Sequence, residues 1–487
     1  MARARQRNHF LTHRSGCSLS ATALIVGCAV SPAGLAQNSD TSGMSQAPLQ
    51  GSQTNLEQAP VISIGPMVNP SAPAGIYGAP QSFSIFPQAT TGTSMLPSPL
   101  AGTSALAASP VPAAPQAGQQ VLPGFYSMGP VNLHAHLFYS ITDGDGLQST
   151  PGHRSSTVIN MVSPGIDVNV GSVWTLQYRP NLTFYSAKGF QDTTDQNVAL
   201  SGLTQHGNWS FGLTQTFSDT TDPLVETGTQ TSQQMYTTGL SAGVQLGSRW
   251  SEQAQFSQSF RETQGFQNFK EWALANALDY ELAKGLSVGL QLEGGYDVQS
   301  GSSDMPFEQA AGVLKFNPGK RLSLTLSGGA QEREFISPTA PATLTPIFNA
   351  SVDYQMLEHT SVSLNASRTV TPSFYNNQII NSTRVNATLT QNLTKALSLQ
   401  LSGGYSDQPS TIIEPLALPA FWIGPKPTSQ LQQVRDDTTT SLGASLTYQL
   451  GSRAFAAVFF NYSDNSSSQE NFSFSSRQYG FSITYSY

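Results

Sequence analysis

Trp174-Thr175-Leu176-Gln177-Tyr178-Arg179-Pro180-Asn181-Leu182-Thr183-Phe184 places an apolar or aromatic residue at every even position and a polar one at every odd position. Side chains on a β-strand alternate between two faces, so this run has one greasy face and one wet face. A helix would scatter the same residues around its circumference. The length also matters, because a tilted strand needs about 9–11 residues to cross a bilayer. The pattern recurs in Trp250 to Phe260, Trp272 to Leu282 and Leu344 to Met356.

Composition agrees. The 487-residue chain carries 22 basic and 29 acidic residues, 10% charged, where soluble domains average about 25%. Mean hydropathy is nevertheless polar, at -0.20. Beyond the N-terminal leader, no segment approaches the roughly 18 consecutive apolar residues of a spanning helix. Low charge without hydrophobic runs disfavours a helical membrane protein, a nucleic-acid binder and a cytosolic α/β enzyme. It suits alternating strands, in which each apolar residue is diluted by a polar neighbour.

The first 36 residues look like an export signal. Arg3, Arg5, Arg7 and Arg14 form a basic start without acids, Leu19 to Val30 an apolar core, and Gly34-Leu35-Ala36 a small-residue cleavage site. Ile25-Val26-Gly27-Cys28 resembles a lipoprotein box and leaves a second cut open. Cleavage after Ala36 leaves 18 basic against 29 acidic residues, a net charge of -11, with no basic patch for nucleic acid. It also removes both cysteines, Cys17 and Cys28, and with them disulfide, thiolate-metal and cysteine chemistry. Residues 37–123 follow as a Pro/Ala/Ser-rich stretch whose charged residues are Asp40 and Glu57. They are expected to form a disordered or polyproline-like periplasmic tail, with a tether or lumen plug as the functional alternative. The barrel is expected over 124–487.

A weak internal repeat organises that region. Leu286-Ser287-Val288-Gly289-Leu290, Leu322-Ser323-Leu324-Thr325-Leu326 and Leu397-Ser398-Leu399-Gln400-Leu401 resemble one another. Comparable starts fall at Trp174, Trp209, Trp250, Val362 and Phe455. Each repeat holds two long strands, hence a hairpin rather than a propeller blade. Short turns at Gly171, Gly207, Gly247, Gly285, Gly319, His359, Lys395 and Gly451 alternate with longer polar loops such as 219–232, 332–343, 371–379 and 407–435. The spacing predicts an all-β, antiparallel up-and-down transmembrane barrel of about 18 strands (16–18), with short periplasmic turns and long outer loops. Arg249, Lys284, Lys320, Arg321, Lys395 and Arg453 fall at the short turns. Asp143, Asp145, Asp192, Asp219, Asp222, Glu226, Asp304, Glu332, Glu334, Asp407, Glu414, Asp436 and Asp437 are expected in the outer loops, where ordinary solvation accounts for them.

The chain ends on Tyr479, Phe481, Ile483, Tyr485 and Tyr487 in alternation. Phe481, Ile483, Tyr485 and Tyr487 resemble the C-terminal signal that the outer-membrane assembly machinery reads. Ser163-Pro164-Gly165, and Tyr462-Ser463-Asp464-Asn465-Ser466 before a final Tyr479-Gly480-Phe481 strand, resemble the outer-membrane β-barrel porin family, some of whose members lie in exopolysaccharide operons. The resemblance spans roughly 130–487 and implies a Gram-negative outer-membrane barrel in contact with lipid and lipopolysaccharide.

No pattern for chemistry stands out. There is no phosphate loop, HExxH or nucleophile elbow. His134 and His136 share one strand face without an evident third ligand. Neither a cofactor, a metal site nor catalysis is expected. By parity Arg179, Arg261, Arg384, Asp279, Glu281, Glu293 and Asp353 should point into the lumen. The apolar run Leu416 to Ile423 in the longest loop is a candidate constriction. Two functions remain. One is a porin-like channel passing small solutes or a secreted polysaccharide, with export components as partners in the latter case. The other is a structural or adhesive barrel with a plugged lumen.

Overall fold

The computed structural model describes residues 126–300, 304–336, 342–375, 377–413 and 431–487. The leader, the tail as far as residue 123, and the run 416–423 lie outside the described residues.

The alternation resolves into eighteen antiparallel strands. They are β1 (Val131–Thr150), β2 (His153–Val170), β3 (Trp174–Tyr178 and Asn181–Tyr185), β4 (Thr193–His206), β5 (Trp209–Pro223) and β6 (Gln230–Leu246). Then come β7 (Trp250–Thr263), β8 (Phe269–Ala283), β9 (Leu286–Gln299), β10 (Met305–Phe316), β11 (Leu322–Arg333) and β12 (Thr343–Leu357). The last are β13 (Thr360–Pro372), β14 (Gln378–Asn392), β15 (Leu397–Ile413), β16 (Leu431–Gln449), β17 (Ala454–Ser467) and β18 (Phe474–Ser486). A short segment, Tyr126–Met128, pairs with the start of β1. Each strand pairs with the next, and β18 pairs with β1 from His136↔Ser486 to Asp145↔Arg477. The barrel is therefore closed. Closure leaves no row of unpaired backbone groups, the condition for a sheet in hydrocarbon. Among the described residues there is no α-helix, only a 3-10 turn at Glu470–Phe472.

The stretch that opens the argument is interrupted. Strand β3 breaks at Arg179-Pro180 because proline has no N–H to give the ladder. Its register survives the break: Tyr178 faces Val198 and Asn181 faces Asp195. Between them the Arg179 N–H still donates to the Asn197 carbonyl at 2.8 Å.

The short turns occupy the expected positions, and Gly171, Gly207, Gly247, Gly285 and Gly451 have positive φ there. The other end differs from expectation. Asp143 and Asp145 lie within β1, Asp219 and Asp222 within β5, Glu332 within β11, Asp407 within β15, and Asp436 and Asp437 within β16. The ladders run on past the apolar alternation, because hairpin pairing continues in water where neither face need be greasy.

Burial is inverted relative to a soluble domain. Large apolar side chains stand exposed on the outer wall, among them Leu274, Leu290, Leu292, Leu442 and Val458. The buried positions are mostly polar, including Ser140, Thr142, Gln291, Gln309, Gln331, Ser463 and Gln478. In water an apolar belt of this extent would be an aggregation surface; in hydrocarbon it is the stable arrangement. Aromatic pairs mark the belt's two edges. Trp250–Tyr280 (4.6 Å between rings) and Trp209–Phe211 (6.0 Å) lie toward the short turns. Phe260–Trp272 (5.5 Å), Phe217–Tyr236 (4.8 Å) and Phe460–Tyr479 (5.0 Å) lie toward the loops. From Trp272 to Tyr280 along β8, at about 3.4 Å rise per residue and a tilt of about 40°, the girdles are roughly 20 Å apart, close to the apolar band of such barrels.

Candidate functional site

The candidate site sits at the loop end. The loop 224–229 joins β5 to β6, and the loop 373–377 joins β13 to β14. Six strands separate the two hairpins one way round the ring and eight the other way, so they stand on nearly opposite walls. They nevertheless touch. Glu226 Oε1 accepts hydrogen bonds from Ser373 Oγ (2.5 Å) and from the Phe374 N–H (2.7 Å). The Glu226 carbonyl accepts from Arg435 Nη1 of β16 (3.0 Å) and from the Tyr375 hydroxyl (3.4 Å). Contacts from one wall to the other can be made only across the mouth.

Two arginines brace the crossing. Arg261 of β7 donates Nη2 to the Ser373 carbonyl (3.4 Å), and its guanidinium lies 3.9 Å from the centre of the Phe374 ring. Arg435 donates Nε to Asp437 (2.8 Å) and lies 4.2 Å from the Phe472 ring. Cations held on ring faces keep their charge with few water contacts. Beside them the Gln267 N–H of the β7–β8 loop donates to the Phe374 carbonyl (3.2 Å). Leu224 and Val225 are buried, and Val225 packs with Leu147, Ile159, Phe190 and Phe474. A second apolar cluster, Met305, Phe335, Val370 and Ile379, lies at the ends of β10, β11, β13 and β14. Burial pushes the Glu226 carboxyl above its ordinary range, partly offset by the Ser373 and Phe374 hydrogen bonds and the two arginines.

No family model matches the chain, and no curated protein matches it. Among solved structures it is similar to OccK2 (OpdF) of Pseudomonas aeruginosa, at 11% identity and a TM-score of 0.41, over 73% of this chain and 98% of that one. It is similar also to OpdO of Pseudomonas aeruginosa (11%, 0.39, 73% and 97%). A third is the siderophore receptor PirA of Acinetobacter baumannii (7%, 0.39, 73% and 80%). None of these likenesses bears on what passes through this barrel.

Of the seven residues assigned by parity, Arg179 lies at the break in β3 and the other six lie within strands. Arg261 belongs to the mouth. Arg179 lies 3.4 Å from Asp167, which is also 3.9 Å from His136. Asp279 pairs with Lys315 at 2.7 Å. Glu293 is buried in a carboxylate-rich patch with Glu271 and Asp297, where Arg333 pairs with Asp297. Arg333 lies 4.7 Å from the Phe307 ring, and that ring in turn covers Gly295. A Cβ at Gly295 would come within 2.3 Å of the Phe307 ring, so glycine is what lets the aromatic lie flat on the wall. Arg384 donates to Ser382 (3.0 Å). Asp353 and Glu281 lie on β12 and β8, away from the mouth contacts.

Sequence reasoning reached Arg261 and placed Glu226 in an outer loop, but it missed Ser373, Phe374 and Arg435 and the contacts that join them. Glu226 is not a freely solvated loop charge: it is part-buried and holds the far wall. The available signal was Pro223-Leu224-Val225, an apolar step inside an otherwise polar loop. The candidate constriction at 416–423 lies outside the described residues, and the crossing seen here is built by other loops.

Proposed function

We propose that this chain is an outer-membrane channel for small polar solutes, with its outer mouth narrowed by the 224–229 crossing. The observation that carries the reading is the chemistry of the inner wall. Among the described residues, the inward-facing positions are mostly polar, Ser140, Thr142, Gln291, Gln309, Gln331, Ser463 and Gln478 among them. A polar inner wall behind an apolar outer one suits a water-filled lumen rather than a packed apolar core. A barrel of about 18 strands is wide enough to hold an aqueous channel. The exposed apolar belt and its aromatic girdles support a setting in a bilayer. The N-terminal leader directs it out of the cytoplasm, and the C-terminal alternation is the handle for the assembly machinery. The crossing favours small solutes over a secreted polysaccharide, which would need the mouth cleared.

The apolar packing of Val225 and the braced crossing favour a second reading, a structural or adhesive barrel closed at its mouth. Planar-bilayer recording separates the two. A channel gives stepwise conductance from the full chain, and deleting residues 225–228 raises the step size while the barrel stays folded by heat-modifiable gel mobility. Silence from both proteins would establish the closed barrel. A dextran ladder tests passage of polysaccharide on the same proteins.

A further inference from the structure

Strands β7 and β8 break their own alternation. The outward parity of β7 runs Trp250, Glu252, Ala254, Phe256, Gln258, Phe260, and that of β8 runs Trp272, Leu274, Asn276, Leu278, Tyr280. The polar members share one stretch of outer wall: Leu278 faces Glu252, Asn276 faces Ala254, Gln258 faces Thr238, and Thr238 faces Gln215. They bond among themselves. Asn276 Nδ2 donates to Glu252 Oε1 (3.0 Å), and Thr238 Oγ1 donates to Gln215 Oε1 (2.6 Å). Asn276 stands midway between Trp272 and Tyr280, the girdle residues of its strand. Elsewhere the belt is apolar, with Leu290 and Leu292 on β9, Leu326 on β11 and Leu442 on β16 exposed. An acid and a group of amides facing hydrocarbon cost free energy, which a protein partner recovers by hydrogen-bonding to them.

The pair is complementary to itself. The Asn276 amide has two N–H groups and gives one to Glu252, whose carboxyl has room for further donors. A two-fold axis along the membrane normal keeps every residue at its own depth, so it sets the pair of one copy against the same pair of another. A head-to-tail ring would instead lay the pair against a different, leucine-rich stretch of wall and leave it unmatched.

We infer that the outer face of β5–β8 is a contact between two copies of this chain, in which Asn276 of each copy donates its second N–H to Glu252 of the partner subunit. Gln258, Thr238 and Gln215 extend the polar contact toward the loop end. Leu240, Leu274 and Leu278, all exposed on this face, pack around it. The contact rests on the bilayer setting and does not require conduction.

Thiol cross-linking with a membrane-permeant bis-maleimide, in outer-membrane vesicles carrying the full chain, tests it. Ala254→Cys, opposite Asn276, should give a cross-linked dimer. Ala444→Cys, opposite Leu401 on β16 across the ring, and the natural chain set the background. Adding Glu252→Leu and Asn276→Leu to Ala254→Cys removes one hydrogen bond from each half of the contact and should lower the yield about tenfold. Both leucines suit lipid, so heat-modifiable mobility should show the barrel still folded. Sedimentation in mild detergent should give twice the chain mass for the natural protein and a single chain mass for the double leucine variant. Equal yields from Ala254→Cys and Ala444→Cys overturn the proposal, as does a yield indifferent to the leucines or a mass of three chains. A chain recovered from the soluble periplasm instead of the vesicles removes the bilayer setting, and the contact with it.

Discussion

Glu226 carries two roles that pull against each other, a hydrogen-bonded clasp and a carboxylate taken out of water. Its carboxyl accepts from Ser373 and the Phe374 N–H and feels the charges of Arg261 on β7 and Arg435 on β16, whereas its backbone carbonyl accepts from Tyr375 and Arg435, the latter paired with Asp437. Burial raises its pKa while it is clasped, whereas a freed side chain in water titrates near the ordinary value of 4.5. The clasped state therefore binds the proton more tightly, and acidification through the raised pKa favours the clasped, narrow mouth. The expected outcome is longer closed dwell times at pH 5 than at pH 7 in planar-bilayer recordings. Glu226→Gln, neutral at every pH and still able to accept from the Phe374 N–H, should show long closures at both. Closed times that shorten on acidification would mean charge attraction to Arg261 and Arg435 outweighs burial. Arg261 illustrates how far sequence reaches at this scale. Its inward position follows from parity alone, but the Ser373 carbonyl it meets lies 112 positions further along the chain.

At the scale of the strand, the same parity divides cost sharply between adjacent residues. On β9, Leu290 stands 53% exposed on the outer wall, whereas Gln291 is buried on the inner one. An arginine at mid-depth on the lipid face of a barrel costs about 2–4 kcal/mol. Leu290→Arg should lower unfolding stability by that amount in lipid vesicles, measured from the urea midpoint. Gln291→Arg, one position away, should cost less than about half as much, since its charge meets the lumen. Similar losses at both positions would contradict the assignment of faces. Strand ends were the least legible feature: eight of the acids expected in outer loops lie inside β1, β5, β11, β15 and β16, whereas Asp192, Glu226, Asp304 and Glu334 lie in loops. Hydrophobic alternation marks where a strand meets lipid. It says nothing about where backbone pairing stops once the hairpin stands in water.

For the whole molecule the decisive contact is the seam. Tyr487 donates its N–H to the Ala135 carbonyl at 2.8 Å, and its ring lies 4.5 Å from the Arg453 guanidinium. The last residue thus ties β18 to the start of β1 and to the turn before β17. Deleting Tyr487 should reduce the folded, heat-modifiable form in the outer-membrane fraction severalfold while total expression stays level. Unchanged levels would show that the ending is dispensable for assembly. Alternation of period two, the glycine turns and the aromatic ending are local signals, so a closed antiparallel barrel of about 18 strands, to within two, was legible in the sequence alone. The mouth was decided only in three dimensions. Closing eighteen strands into a ring brings Glu226 within reach of Ser373, 147 residues further along the chain, and sets Arg261 beneath Phe374. No local pattern records such a meeting, because it follows from the circumference of the ring rather than from neighbours in the chain.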